Sequence, residues 1–468
     1  MANQAAASRE RRSTVAGSDC NQRRTLLSRG LLSALLWLAA PIAGHAMDCN
    51  RAMESPVTNV TLSGSPFTAL PSADGCWLFV SLSREIGADH AGLAVLRRVD
   101  GAVTVRRTVS LTGTPAGMTL THDGTLLIVA NGPGVLFFDV ERLKTDGSDA
   151  LIGSWRQVGR SWPTSMYVDV TADDHYLLVS NETAGTISVI DLAQTRRSRF
   201  AQTRLVGSIA VGVAPVGLAL SSDDRFLVAT VHSVNDAGWA NQCPREGGST
   251  GTADHPMGAI VVIDMARATS DPGKSVLRRV PAGCNPVRVV ASQTGRVYVT
   301  ARGSNALLAF SERELTGTGP DPKATQVAVG TSPIGVALID GGRQIVVANS
   351  DRFSTGAEAP SLYVMASAGV GVSSTPAFGM MPTRGFPREI RATADGHSLL
   401  VTNFSAGTLQ IVDLGRALWD FVWSKGQRSD RFPEPDFTAT LGSNLTAPGL
   451  HHRKFDRPTG ATRRREAA

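Results

Sequence analysis

The chain has 468 residues, 47 of them glycine, with 18% charged and 6% aromatic residues and a formal net charge of +6. Six arginines against Glu10 and Asp19 give residues 1–46 a charge of +4, and ten Lys/Arg against six acids give residues 415–468 another +4, so the stretch between carries about −2. The basic balance belongs to the two ends, which gives no support to a nucleic-acid-binding surface on the body of the protein.

Residues 1–46 read as a secretory signal. A basic leader precedes the apolar Leu31–Ala40, and Gly44-His45-Ala46 puts small residues at both recognition positions. The apolar run of about 13 residues is short of the ~20 that a membrane span needs, so no transmembrane segment is expected. Arg23-Arg24-Thr25-Leu26-Leu27 is similar to the twin-arginine export motif, without its usual serine and phenylalanine. A periplasmic or secreted bacterial protein is the expectation.

The body is a repeat. Tyr176–Ser180 follows Met166–Thr171 across an Asp173-Asp174 turn, and Thr186–Asp191 follows across Gly185, giving three short strands in succession. The same phrase recurs after Pro66, Pro115, Pro163, Pro215, Pro286, Pro333 and Pro387, at separations of 49, 48, 52, 71, 47 and 54 residues. That spacing suits one four-stranded propeller blade, ~40 to 50 residues. The expected fold is all-β, a seven-bladed β-propeller of four-stranded blades over residues 47–414, with 415–468 a partly disordered C-terminal extension. The last repeat supplies three strands, so Val57–Leu62 is expected to pair into the seventh blade and close the ring.

Asn181 after Tyr-Leu-Leu-Val-Ser, Val346-Val347-Ala348-Asn349 and Leu400-Val401-Thr402-Asn403 together resemble the YVTN-type β-propeller repeat family, related to lactonase-like propellers. The resemblance covers Val57 to Leu414 and implies an architecture; members of that family include periplasmic and surface proteins of diverse role.

Once the signal is removed, Cys49, Cys76, Cys243 and Cys284 remain, an even number for an oxidising compartment. In a propeller, Cys76 follows the lower turn of blade one and Cys49 precedes the closing strand as it enters from below. Cys243 lies in the long top loop of blade four, and Cys284 in the top connection to blade five. The expected bonds are Cys49 with Cys76 and Cys243 with Cys284. Asn131, Asn181, Asn349 and Asn403 read as left-handed turn formers, and Asp191, Asp264 and Asp413 as strand-end turn formers. Trp419-Asp420-Phe421-Val422-Trp423 reads as a short amphipathic element on the rim, and Arg463-Arg464-Arg465 as a solvated basic end.

Ligand sites favour concave positions, here the top of the channel, reached by the two residues after each opening proline and those just after each second strand. The early blades offer Phe67-Thr68, Ala116-Gly117, Thr164-Ser165 and Val216-Gly217, which carry little chemistry. The later blades offer Arg288 and Arg302, then Asp351 and Arg352, then Arg388 and Glu389. Guanidinium forks suit carboxylate or phosphate groups, so this quadrant is the expected anion pocket, roofed by the loop bearing His232, Trp239 and His255. The competing structural reading makes Arg388, Glu389 and Asp351 an inter-blade ion-pair network. Histidine spacings match no zinc or haem site, serine-nucleophile elbows and phosphate loops are absent, and no cofactor is expected.

The expected function is non-enzymatic binding of a small anionic ligand or a protein partner on the top face, by a monomer. One alternative is a lactonase-like hydrolase or isomerase, in which Arg288, Arg302 and Arg388 hold a carboxylate and Glu389 or His232 moves a proton. The other is a cell-surface adhesion or scaffold protein with an aromatic patch near Trp419 and Trp423.

Overall fold

The computed structural model describes residues 49, 51, 53–83, 91–145, 149–157, 164–235, 238–244, 253–352, 359–370 and 377–417. The expected signal peptide, Pro163, Trp419–Trp423 and the basic end lie outside the described residues.

Seven four-stranded antiparallel sheets follow one another along the chain as the blades of a β-propeller. Six lie within residues 65–110, 115–156, 165–210, 213–281, 286–328 and 333–382. The seventh takes Pro387–Ala392, Ser398–Asn403 and Thr408–Asp413, and its outer strand is Val57–Thr61, with Val57 opposite Val412 and Thr61 opposite Thr408. The ring is therefore shut by the early strand. Within the fourth blade, a two-stranded hairpin of Asn241–Pro244 and Ala253–Pro256 interrupts the second-to-third-strand connection.

The second strands, such as Leu126–Asn131 and Ser398–Asn403, are apolar on both faces because neighbouring blades stack against each side. Outer strands such as Ala102–Ser110 meet solvent and carry the arginines and threonines. Phe79, Phe137, Phe138 and Phe310 fill the spaces between blades. Proline at the head of an inner strand removes no ladder bond, since that edge faces the channel.

A hydroxyl in the second strand stitches five blades to their successors. Ser81, Ser180, Thr230, Thr300 and Thr402 accept the amides of Thr68, Tyr167, Gly217, Arg288 and Glu389 in their own blades. Each then donates to a carbonyl of the next blade, at Ala116, Val216, Val287, Ile334 and Phe67. Blades two and six place Ala130 and Ala348 at this point.

The recurrent asparagines differ from their expected role. Asn131, Asn181, Asn349 and Asn403 end second strands, and none has a positive φ. Their amides bond neighbouring groups instead: Asn181 Nδ2 donates to Ser188 Oγ at 3.0 Å, and Asn403 Nδ2 to Gln410 Oε1 at 3.2 Å. Asp191 and Asp264 cap short helices, each accepting from the backbone amide three residues on, and Asp413 accepts in the same way from Arg416.

Two disulfides are present, Cys49–Cys76 and Cys243–Cys284. The second ties the blade-four hairpin to the connection entering blade five.

Candidate functional site at the channel mouth

Strand register sorts the channel into layers. Pro66 lies opposite Leu82, Pro115 opposite Asn131, Ser165 opposite Asn181 and Pro215 opposite Val231. Pro286, Pro333 and Pro387 lie opposite Ala301, Asn349 and Asn403. Ser165 thus holds in blade three the place that proline holds elsewhere, two residues beyond Pro163. The residues following it are Met166 and Tyr167, so the expectation that Thr164-Ser165 reaches the channel is corrected, and the early blades are not bland.

The first layer below the mouth contains Phe67, Ala116, Met166, Val216, Val287, Ile334 and Arg388. Its six apolar members belong to one collar, joined by Phe386 and Phe404. Arg388 is the charged member. Its Cζ lies 3.8 Å from the centre of the Phe67 ring, 5.1 Å from that of Phe404 and 5.7 Å from that of Phe386. Such ring faces attract a guanidinium but accept none of its hydrogen bonds in its own plane. Among the described residues its contacts are these rings, and its buried Nε has no hydrogen-bond partner. Burial, followed by repulsion from Arg352 and Arg302, pushes Arg388 down to about 9, which leaves it protonated at neutral pH.

The second layer contains Thr68, Gly117, Tyr167, Gly217, Arg288, Gly335 and Glu389. Glycine occupies the even-numbered blades, and in blades two and four the next inner strand passes too close for a side chain. A Cβ on Gly117 would stand 2.6 Å from the Met166 carbonyl oxygen, and one on Gly217 2.5 Å from that of Val287. The odd-numbered blades fill the space so left. Glu389 Oε2 accepts from Thr68 Oγ1 at 2.9 Å and Tyr167 Oη at 2.6 Å, and Arg288 Nη2 lies 3.5 Å away. Arg288 also stacks on the face of Tyr167, its Cζ 3.8 Å from the ring centre, and burial lowers it to about 9. Arg391 reaches the other carboxylate oxygen at 3.6 Å. Further along the inner strand that carries Tyr167, Asp169 is pushed up to about 6 by burial, with the hydrogen bond from the Val170 amide and then the charge of Arg391 opposing the shift.

Above the collar, one residue past each second-strand asparagine place, stand Glu182, His232, Arg302 and Phe404 from blades three, four, five and seven. Arg302 is buried. Glu182 lies within the fields of Arg388, Arg302 and Arg352, yet burial outweighs them and raises its carboxyl. Burial, then the charge of Arg302, pushes His232 down to about 3, so it is neutral at physiological pH. Asp351 holds the top of blade six in a left-handed backbone conformation, and Arg352 sits over Phe386 at 5.3 Å.

In the competing ion-pair reading Glu389 was grouped with Arg388 and Asp351; its ion pairs are with Arg288 and Arg391. Of the expected roof, His255 bonds its own neighbour's carbonyl, and Trp239 packs against the core between blades three and four. Phe67 and Thr68 stand at the channel as expected but carry more than the little chemistry assigned to them, while Tyr167, Glu182, Phe386 and Phe404 were not among the expected site residues. Counting back from Asn181, in place of forward from proline, would have found Tyr167. Among the described residues no group of three or more His, Cys, Asp or Glu is placed to hold a metal ion, and no helix is long and apolar enough to cross a membrane.

The fold and channel define a seven-bladed β-propeller with a cationic mouth. No protein-family model matches the chain, and no curated protein matches it. Among solved structures it is similar to Kuenenia stuttgartiensis hydrazine synthase, with TM-score 0.56 and 17% identity over 76% of this chain and 97% of that one. It is also similar to a 6-phosphogluconolactonase-like protein from Bacteroides fragilis, with TM-score 0.54 and 15% identity over 74% and 92%. A third likeness is to virginiamycin B lyase from Staphylococcus aureus, with TM-score 0.52 and 11% identity over 76% and 99%. At these identities the likeness concerns the fold.

Proposed function

We propose that this chain is a secreted or periplasmic propeller of the YVTN type that binds a small anion at the top of its channel without transforming it. The observation that carries the reading is Arg388, a guanidinium set in an apolar collar, stacked on Phe67 and Phe404, with a buried Nε that has no hydrogen-bond partner. Buried polar groups are normally partnered, and a planar fork held by ring stacking is pre-organised for a carboxylate or phosphate. Arg302 and Arg352 add positive potential at the same mouth. Glu389, the carboxylate nearest in sequence, is engaged by hydroxyls and guanidiniums, which fits a binder better than an enzyme needing a free base.

Titration calorimetry with succinate and with inorganic phosphate tests this. Wild type should bind at least one of them, Arg388→Ala should lose that binding, and Arg388→Lys should recover little of it, since an ammonium lacks the fork. Equal binding by wild type and Arg388→Ala, or no binding of either anion by wild type, overturns the proposal.

A further inference from the structure

Arg388 and Glu389 are adjacent in one inner strand and opposite in charge, yet they do not pair. The Glu389 carboxylate is held in the layer below by Thr68 from blade one, Tyr167 from blade three and Arg288 from blade five. Even-numbered blades contribute only glycine to that layer, and a Cβ on Gly117 would stand 2.8 Å from Cδ1 of the Tyr167 ring.

We propose that Thr68 and Tyr167 are positioning residues that keep Glu389 away from Arg388 and so keep the mouth open to an external anion. This rests on the reading that Arg388 anchors the anion. A buried carboxylate takes whatever donors are in reach. With both hydroxyls gone, Arg288 at 3.5 Å and Arg391 at 3.6 Å remain, and neither is at hydrogen-bond optimum. The adjacent Arg388, whose charge already interacts with that carboxylate, is then a competing partner once the hydroxyls no longer hold Glu389 in its own layer. A tethered carboxylate on that fork competes with any dissolved anion, because the internal partner pays no association entropy.

The test is succinate and phosphate affinity in three proteins. Tyr167→Phe with Thr68→Val should weaken binding about tenfold or more, the scale of one lost charge-assisted contact. Adding Glu389→Gln to that pair should bring affinity back to within about threefold of wild type, because an amide does not neutralise Arg388. A purely structural role for the hydroxyls predicts the reverse, with the third substitution weakening binding further. Tyr167→Phe alone keeps the ring under Arg288 and should show a partial loss if the double variant does not fold. Affinity unchanged in the double variant, or not recovered in the triple variant, overturns the proposal. If Arg388→Ala binds normally, the anchor reading itself falls; if it loses binding while the double variant does not, only the positioning role falls.

Discussion

Tyr167 Oη donates to Glu389 Oε2 at 2.6 Å across the channel, joining blades three and seven over 222 residues of sequence. With Thr68 and Arg288, the pair braces every odd-numbered blade against a single carboxylate. The brace lies in the layer next to the apolar collar in which Arg388 is set.

The brace predicts unequal costs for its parts. Glu389→Ala leaves Arg288 buried without a counter-ion and should cost about 3 to 5 kcal/mol. Tyr167→Phe removes one hydrogen bond to a charged acceptor and should cost about 1.5 to 3 kcal/mol. Denaturant unfolding of both variants checks this; equal costs would mean that Arg288 has another partner.

The stitching hydroxyls predict a sharp difference between two nearly isosteric changes. Thr402→Val deprives the Glu389 amide and the Phe67 carbonyl of their partner, at a cost of about 1 to 3 kcal/mol, whereas Thr402→Ser keeps both bonds. Melting temperature should separate them clearly. If Val and Ser behave alike, the hydroxyl is not what joins blade seven to blade one.

Asp169 predicts a pH dependence low in the channel. Its folded value of about 6 lies above its ordinary 3.8, so the folded state holds a proton that the unfolded chain has released. Its contribution is nil below about 4, becomes unfavourable as pH rises from there to about 6, and is constant above. Arg391, Asp224 and His122 are the charged or titratable neighbours that modulate it. Asp169→Asn should therefore gain stability over wild type progressively across that interval. A constant difference between the two proteins from about pH 4 to 7 would contradict the assignment.

Glu182 predicts how acidity tunes the mouth. Burial raises its carboxyl, so it protonates before an exposed glutamate as pH falls, and Arg388, Arg302 and Arg352 lose one opposing charge. Sulfate, whose charge is constant near neutrality, should bind more tightly at about pH 5 than at about pH 8, and Glu182→Gln should flatten that slope. His232 stays neutral across this range and should contribute none of it.

The fold was legible because its signals are local and repeated: apolar runs, Asp-Gly turns, and a proline heading most inner strands. Closure by Val57–Thr61 followed from counting strands in the last repeat, and the disulfides from which loops share a face. The site was only partly legible. Arg288, Arg302, Arg352, Arg388 and Glu389 stand out as charged residues at channel positions, but which of them pair depends on side chains from distant blades. Blade three shows why. Proline marks the head of an inner strand because no ladder bond is lost there, not because the position requires proline; Ser165 fills it in blade three, its amide donating to the Gly132 carbonyl at 2.7 Å and its hydroxyl to Asn181 Oδ1 at 3.0 Å. Reading the register from Pro163 hid Tyr167, and with it the reason that Glu389 leaves Arg388 alone. The asparagines misled for a related reason, since a side chain that bonds nearby backbone in a turn can do so equally at a strand end.

Crystals soaked in selenate and measured at the selenium edge test the central claim most directly, because the anion announces itself by anomalous scattering. The account predicts a peak within hydrogen-bond reach of the Arg388 Nη atoms above the Phe67 ring, lost in Arg388→Ala crystals. Selenate elsewhere on the propeller with none at Arg388, or the same peak in the alanine variant, would contradict it.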